Sequence, residues 1–188
     1  MRVLGVDPGS VVCGYGVIES TEQQRMTLLE YGVIEAKRQH SDMPLRLKAI
    51  YTRLQKVIER SSPNCLAIET VFHSKSVSSI IKLAQARSAA ILAASMLDIP
   101  IVEYAPRFVK RAVTGHGNAN KEQVQFMVRT LLHIEETPEF YDATDALAVA
   151  ICHSYHSLSS VRVGSQRRRR SISWKEFVEM YPERVRKG

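Results

Sequence analysis

The sequence predicts an α/β fold in which one mixed β-sheet has helices on both of its faces. Three observations lead to this prediction. The first 36 residues contain three runs rich in Val, Ile, Leu and Tyr, separated only by turns. Beyond them, segments of helical periodicity alternate with short apolar runs of strand length. The length of 188 residues, 45% of them hydrophobic, suits one well-buried core rather than two full-sized domains.

The first part of the chain predicts three consecutive strands, a helix and a fourth strand. Residues 2–7, 12–20 and 26–36 are the three strands, joined as hairpins by an Asp-Pro-Gly turn and a polar run. A helix is expected from Pro44, because apolar residues recur at helical spacing until the stretch Ser-Ser-Pro-Asn. The run CLAIE, residues 65–69, then has the continuous apolar character of a buried parallel strand.

The second part of the chain predicts one further strand and four helices. A long Ala-rich helix covers 76–97, and the strand follows over 99–104. Two helices, over 106–115 and 121–132, are separated by the loop GHGNAN, and a last helix covers 142–157. The alanines of the long helix allow another backbone to approach closely, which suits tight packing on the sheet or, alternatively, a subunit interface.

The net charge of +7 is concentrated at the carboxyl terminus. Residues 161–188 contain nine Lys or Arg against three Glu. We therefore expect a globular domain over 1–158 and a basic tail over 159–188, in which Ser173 and Glu176 form the capping-box pattern of a short helix. This tail is either a DNA-binding arm or a segment that docks on the body or on a partner, with its arginines merely solvated.

The charges of the body are also sorted along the chain. Residues 71–121 contain seven Lys or Arg and two acids, whereas residues 135–145 contain five acids and no base. This pattern suits a polyanion held beside a cation-binding carboxylate cluster, although such blocks are also common on solvated surfaces.

The three cysteines are widely spaced and form no CxxC pattern, which favours neither a disulfide framework nor a zinc site. We expect a cytoplasmic protein with no membrane partner, since no signal peptide or bilayer-spanning apolar run is evident.

Four carboxylates are candidates for one divalent-metal site. Asp7 and Glu69 end apolar strand runs, and Asp142 and Asp145 lie three residues apart on one stripe of the last helix. Taken singly, each has an ordinary explanation as a turn, strand-end or helix-start residue. Like-charged groups aimed at a buried surface are costly unless a cation neutralises them, and oxygen ligands favour Mg²⁺ or Mn²⁺ over zinc. Such a site is typical of phosphodiester hydrolysis.

The segments LGVDPGSVVCGYGVIE, LAIETVFHSKS, GHGNANKEQVQFMVRTLL and YDATDALAVAICH resemble the successive motifs of the RuvC family of Holliday-junction endonucleases. The resemblance implies a ribonuclease H-like fold over 1–158 and a homodimer that cuts four-way DNA junctions, with RuvA and RuvB, the branch-migration proteins, as partners. It implies two Mg²⁺ ions per subunit, with Mn²⁺ as a substitute. The implied catalytic and metal-binding residues are Asp7, Glu69, Asp142 and Asp145.

The same resemblance marks residues that bind DNA. Phe72 is implied to stack on a base near the crossover, and Lys110 and Lys121 to meet the DNA backbone. Lys75 and Arg87 are expected to extend this basic surface. Thr70 and Tyr141 depart from the family, in which Gln and Ala are usual at these two positions.

Two other functions are weighed against the resolvase. The stretch DPGSVVCG also fits the pattern DxGxxxxG, which resembles the phosphate-binding loop of actin-like and sugar-kinase ATPases. Those enzymes enclose ATP between two lobes, for which 188 residues are too few. The other alternative is a junction-binding module without catalysis, against which the retention of all four acids argues. His153 and His156 are interpreted as residues near the end of the last helix and not as metal ligands.

Overall fold

The computed structural model describes residues 1–164, except for residues 24, 71–75 and 137. Tertiary contacts divide the chain into two units, Met1–Leu158 and Ser159–Gly188, and the sheet and its packing helices belong to the first. Five strands form one sheet in the order β3-β2-β1-β4-β5. The strands are β1 (Arg2–Asp7), β2 (Cys13–Ser20), β3 (Met26–Ile34), β4 (Cys65–Glu69) and β5 (Ile101–Tyr104). The helices are α1 (Ala36–Gln39), α2 (Met43–Ser61), α3 (Val77–Ser95), α4 (Pro106–Thr114), α5 (Lys121–Leu132) and α6 (Tyr141–Gly164).

The sheet is mixed, as predicted. The strands β1, β2 and β3 pair as antiparallel neighbours, whereas β1, β4 and β5 run parallel to one another. Parallel strands need crossover connections, and the long helices α2 and α3 provide them between β1, β4 and β5. The carboxyl ends of β1, β4 and β5 therefore meet at one edge of the sheet.

The two faces of the sheet bury two separate apolar cores. Side chains alternate along β1, so that Val3 belongs to one core and Leu4 and Val6 belong to the other. The first core contains the inner faces of α4, α5 and α6, and the second contains those of α2 and α3. The prediction of helices on both faces is therefore confirmed.

The boundaries differ from the predicted ones where periodicity gives no signal. The four-residue helix α1 was not predicted, because a single turn has no repeating apolar face. The last helix continues to Gly164, beyond the predicted end at residue 157. His153 and His156 consequently lie within α6 rather than near its end.

The alanines of α3 face the interior. Ala86, Ala90, Ala93 and Ala94 are fully buried in the core that α3 shares with α2, so the expectation of tight packing is confirmed for this side of the helix. Among the described residues, one helix is long and apolar enough to cross a membrane, and that helix is α3. A core helix of a soluble protein can have the same length and composition, so this observation is weak evidence for a membrane span.

Candidate active site at the carboxyl ends of β1 and β4

Two neighbouring parallel strands each end on an acidic residue. Asp7 is the last residue of β1 and Glu69 is the last residue of β4. The register of this pair joins Val6 to Ile68, so the next residue along each strand brings Asp7 beside Glu69. Alternation along β1 directs Asp7 to the same face as Gly5, and α6 covers that face.

Glycines in β1 and β2 allow α6 to lie directly on the sheet. A Cβ atom at Gly14 would overlap the backbone of Asp142, and one at Gly5 would overlap the Ala146 carbonyl and come within 2.9 Å of the Ala150 Cβ. At Gly5 and Gly14, no side chain fits between the strand and the helix. The first turn of α6 is thereby held next to Asp7, which pairs with Gly14 across the β1–β2 ladder.

The four predicted acids act on one another electrostatically. The pKa of Asp7 is raised well above its usual value, first by burial and then by the charges of Glu69, Asp145 and Asp142. Lys121 opposes this shift. Each of the other three acids is therefore close enough to Asp7 to make its ionisation more difficult. The structure therefore places Glu69, Asp142 and Asp145 within electrostatic reach of Asp7.

Glu69 and Asp145 are also harder to ionise than free carboxylates. Burial, followed by the charge of Asp145, raises the pKa of Glu69 to about 7, against the lowering effects of Lys110 and Lys121. The pKa of Asp145 is raised by burial, and its pairing with Lys121 limits that rise. A cluster of this kind gains stability from added positive charge, because the cation offsets the repulsion between its members.

Lys121 supplies one positive charge from the protein itself. Its Nζ lies 3.0 Å from Asp145 Oδ2 and 5.7 Å from the centre of the Tyr141 ring. Lys121 is the first residue of α5, and a capping box between Asn120 and Gln123 fixes the start of that helix. Burial lowers the pKa of Lys121, but the pairing with Asp145 and the other acids outweighs it, so the pKa is raised overall.

The donor chemistry of the cluster fits a hard divalent cation. All four candidate ligands are carboxylates, which suit Mg²⁺ or Mn²⁺ and not zinc. Over the described part of the chain, no three His, Cys, Asp or Glu side chains converge closely enough to form a ready coordination shell. The acids therefore interact electrostatically without forming a preformed metal site, and one of them, Asp145, is paired with Lys121.

The predicted DNA-binding residues have different outcomes. The ammonium of Lys110 donates a hydrogen bond to the Ala119 carbonyl at 2.7 Å, which joins α4 to the loop before α5. Lys110 also lowers the pKa of Glu69, so it lies near the acidic cluster. Phe72 and Lys75 fall outside the described residues, and their roles stay predictions.

The expectation for Arg87 is wrong. Its Nη2 atom lies 2.6 Å from Glu103 Oε1 on β5, and only 20% of its side chain is exposed. The guanidinium is thus neutralised by a carboxylate and largely covered, so it does not extend an open basic surface. The sequence does not reveal this pairing, because the two residues meet only once α3 packs beside β5.

The histidines of α6 have a structural environment. His153 is 8% exposed, and its Nδ1 atom lies 2.8 Å from the Tyr104 hydroxyl. Burial and the nearby His156 lower the pKa of His153. His156 packs edge-on against Tyr104 and Phe108, which stack on each other with their ring centres 5.8 Å apart. The interpretation of both residues as other than metal ligands agrees with these contacts.

Sequence reasoning missed two kinds of residue at the site. The contact of Tyr141 with Lys121 joins two helices and has no signal in the local sequence. The glycines do have a local signal: in the segment CGYG, Gly14 and Gly16 are two residues apart and so lie on the same face of β2, which indicates a close backbone approach.

Comparison with known proteins agrees with the fold and with the motifs. Residues 3–153 match the family model described as Crossover junction endodeoxyribonuclease RuvC. The chain belongs to the RuvC family. A RuvC protein of Sodalis glossinidius is 48% identical over 163 residues, which is 87% of this chain and 92% of that relative. A RuvC protein of Pelodictyon phaeoclathratiforme is 44% identical over 187 residues, covering 98% of this chain and 97% of that relative.

Solved structures show the same RuvC fold. The structure of Thermus thermophilus RuvC in complex with a Holliday junction substrate matches with a TM-score of 0.79 and 32% identity, covering 85% of this chain and 96% of that chain. The yeast mitochondrial Holliday junction resolvase matches with a TM-score of 0.60 and 15% identity, covering 86% and 83%. At that identity the second similarity shows the fold alone. The predicted family and the predicted ribonuclease H-like fold class are confirmed.

Proposed function

We propose that this chain is a Holliday-junction resolvase, a metal-dependent endonuclease that cuts two strands of a four-way DNA junction in recombination and repair. The products are nicked duplexes with 5′-phosphate and 3′-hydroxyl ends. The observation that carries the proposal is the placement of the acids: Asp7 and Glu69 end neighbouring parallel strands, and the start of α6, which holds Asp142 and Asp145, lies directly on β1 and β2. Membership of the RuvC family supports it.

The proposed ligands of two Mg²⁺ ions per subunit, with Mn²⁺ as a substitute, are Asp7, Glu69, Asp142 and Asp145. When bound, such ions activate a water and stabilise charge on the departing oxygen. The sheet end and the first turn of α6 orient the carboxylates, and the glycine contacts hold these two elements together. Asp7, Glu69 and Asp145 are largely buried. Bulk water is therefore kept away from these acids, which strengthens their attraction for cations.

Lysines next to the cluster are proposed to bind the DNA backbone. Lys110 and Lys121 each lower the pKa of Glu69, so their ammonium groups lie within electrostatic reach of the acids. A phosphate that approaches the carboxylates would meet both charges, which offsets the repulsion between two anions. Phe72 is proposed to stack on an unpaired base, and Lys75 to contact the backbone.

A two-fold dimer is the proposed active form. A four-way junction has two equivalent strands to cut, and one chain supplies one set of acids. The outer side of α3 exposes the apolar residues Ile81 at 53% and Leu92 at 52%, and Met96, directly after the helix, is 63% exposed. These residues are suited to a subunit contact. Light scattering would detect the dimer, and a monomer both alone and with junction DNA would contradict it.

Membership of the RuvC family also suggests protein partners. We propose that RuvA and RuvB, the branch-migration proteins, are partners of this chain and that the reaction takes place in the cytoplasm. The basic tail over 159–188 is proposed to add DNA contacts to those made by the domain over 1–158.

One assay separates the proposed activity from the alternatives. The protein is incubated with a labelled four-way junction, with a linear duplex of matching sequence and with ATP, each with Mg²⁺ or with chelator. Paired cuts in the junction alone, dependent on Mg²⁺, are expected. Binding without cutting would indicate a junction-binding module, and turnover of ATP would indicate a phosphotransferase.

A further inference from the structure

Tyr141 and Asp145 flank one ammonium group from the same side of α6. They lie four residues apart, so their side chains are neighbours on the helix surface. Lys121, from α5, places its Nζ 3.0 Å from Asp145 Oδ2 and 5.7 Å from the centre of the Tyr141 ring. The lysine therefore has one anionic and one aromatic contact, and both come from the first turns of α6.

We propose that Tyr141 is a positioning residue, whose ring keeps the Lys121 ammonium beside the carboxylate cluster. The inference rests on the proposed function, because it concerns the lysine proposed there to meet a DNA phosphate. It adds that a residue without a role in ligating metal determines where this lysine points.

The ion pair alone does not hold Lys121 firmly. The lysine side chain is 57% exposed, and a half-exposed ion pair with a long flexible partner is weak. A cation over an aromatic face is attracted to the ring quadrupole, so the Tyr141 ring adds a second and independent restraint.

The ring has a property that the carboxylate lacks. Asp145 is a proposed metal ligand, and an oxygen that binds a divalent cation becomes a poorer partner for an ammonium group. The face of Tyr141 ligates no hard cation and remains available to Lys121. The lysine is thus retained near the site when its carboxylate partner is engaged elsewhere.

The contact itself is tested by NMR on the full chain without metal or DNA. The protons on the Lys121 carbon next to Nζ should be shifted upfield by the ring current of Tyr141, and Lys121→Ala identifies their signals. The shift should persist in Tyr141→Phe, which keeps the ring, and disappear in Tyr141→Leu. The corresponding signals of Lys110, which bonds to Ala119, are the internal reference. Unchanged Lys121 signals in Tyr141→Leu would overturn the inference.

The role of the contact is tested by single-turnover cleavage of a four-way junction at saturating Mg²⁺. Tyr141→Leu should slow cleavage about two- to fivefold, the factor that an exposed cation–π contact supports. Tyr141→Phe should cleave at the rate of the unaltered protein, since the ring and not the hydroxyl acts. Tyr141 is 37% exposed and outside both cores, so neither variant should lower the melting temperature by more than about 4 °C, the shift that loss of one exposed cation–π contact supports.

A double variant distinguishes failure of the inference from failure of the proposed function. In the Lys121→Ala background, Tyr141→Leu should cause no further loss, because the ring acts through the lysine. An equal loss in both backgrounds would mean that Tyr141 acts separately, for instance by stacking on DNA, and would overturn the inference alone. Full activity of Lys121→Ala would overturn the proposed role of Lys121 and the inference with it, while junction cleavage itself would stand.

Discussion

Replacement of Gly14 by alanine tests whether the contact between α6 and the sheet builds the site. Gly14 lies beside Asp7 in the β1–β2 ladder and beneath the first turn of α6. The backbone of Gly14 does not require glycine, because its φ is not positive; among the described residues, the glycine with positive φ is Gly115. The effect of Gly14→Ala must therefore come from the added methyl group, which would overlap the backbone of Asp142.

The size of the effect follows from what can move. The obstacle is main chain, which cannot rotate away as a side chain does, so the start of α6 must withdraw from β2. Overpacking of this kind costs about 1–3 kcal/mol of stability, partly offset by about 0.4–1 kcal/mol from the stiffer unfolded chain. A displacement on the order of 1 Å at a catalytic group lowers a rate about 10²-fold. A 10²-fold loss of rate corresponds to about 2.7 kcal/mol in the barrier, so a Gly14→Ala variant that still folds should show a large loss of cleavage.

The assay compares Gly14→Ala with a matched control. Gly32→Ala also adds a methyl group to a strand glycine, but there the obstacle is the end of the Tyr15 side chain, whose Oη would lie 2.9 Å away and can shift. Junction cleavage under single-turnover conditions and urea unfolding are measured for both variants. We expect cleavage to fall in Gly14→Ala and to be retained in Gly32→Ala. A folded Gly14→Ala variant with the original cleavage rate would show that the contact between Gly14 and α6 does not build the site.

Three further predictions concern other parts of the molecule. The pKa of Glu69 rises from its usual 4.5 to about 7 on folding, so without metal its contribution to stability is present below pH 4.5 and is lost as the pH rises through about 7. The free energy of unfolding of the original protein minus that of Glu69→Gln should fall between pH 5 and pH 8 in chelator, and a flat difference would contradict the burial of this acid. Tyr104→Phe removes the hydroxyl that lies 2.8 Å from His153 Nδ1. The free energy of unfolding, measured in urea, should fall by about 1–3 kcal/mol, and the cleavage position should not move. An unchanged unfolding midpoint would show that this hydrogen bond contributes nothing to stability. Replacement of the four arginines 167–170 should flatten the slope of log affinity against log salt by roughly 3.6 if each neutralises one phosphate, whereas a slope unchanged by truncation after Ser160 would eliminate the tail as a DNA contact.

Local patterns predicted most of the fold because they coincide with the burial that stabilises it. The strands β1 and β4 and the helix α5 have the predicted bounds, since each is a short apolar run or an amphipathic segment with clear end signals. The extension of α6 to Gly164 was missed, because the segment 158–164, LSSVRVG, is rich in Ser, Val and Gly, which have low helix propensity.

The candidate acids could be found from the sequence, but their arrangement could not. Asp7 and Glu69 follow apolar runs, and that position alone marks a strand end. The ion pair between Lys121 and Asp145 and the covering of Arg87 by Glu103 depend on helices that approach from distant parts of the chain. Such contacts have no periodic signal, so only tertiary structure shows which charges are paired.

Asp7 is proposed to belong to a metal-binding carboxylate cluster that performs the cleavage. Junction cleavage by Asp7→Asn is measured with Mg²⁺, and its junction binding is measured in chelator. We expect cleavage to be lost, because an amide is a poorer ligand for a hard cation. We expect binding to be largely retained, because affinity comes from lysine and arginine contacts to phosphates. Undiminished Mg²⁺-dependent cutting by purified Asp7→Asn would contradict the metal-binding role of Asp7.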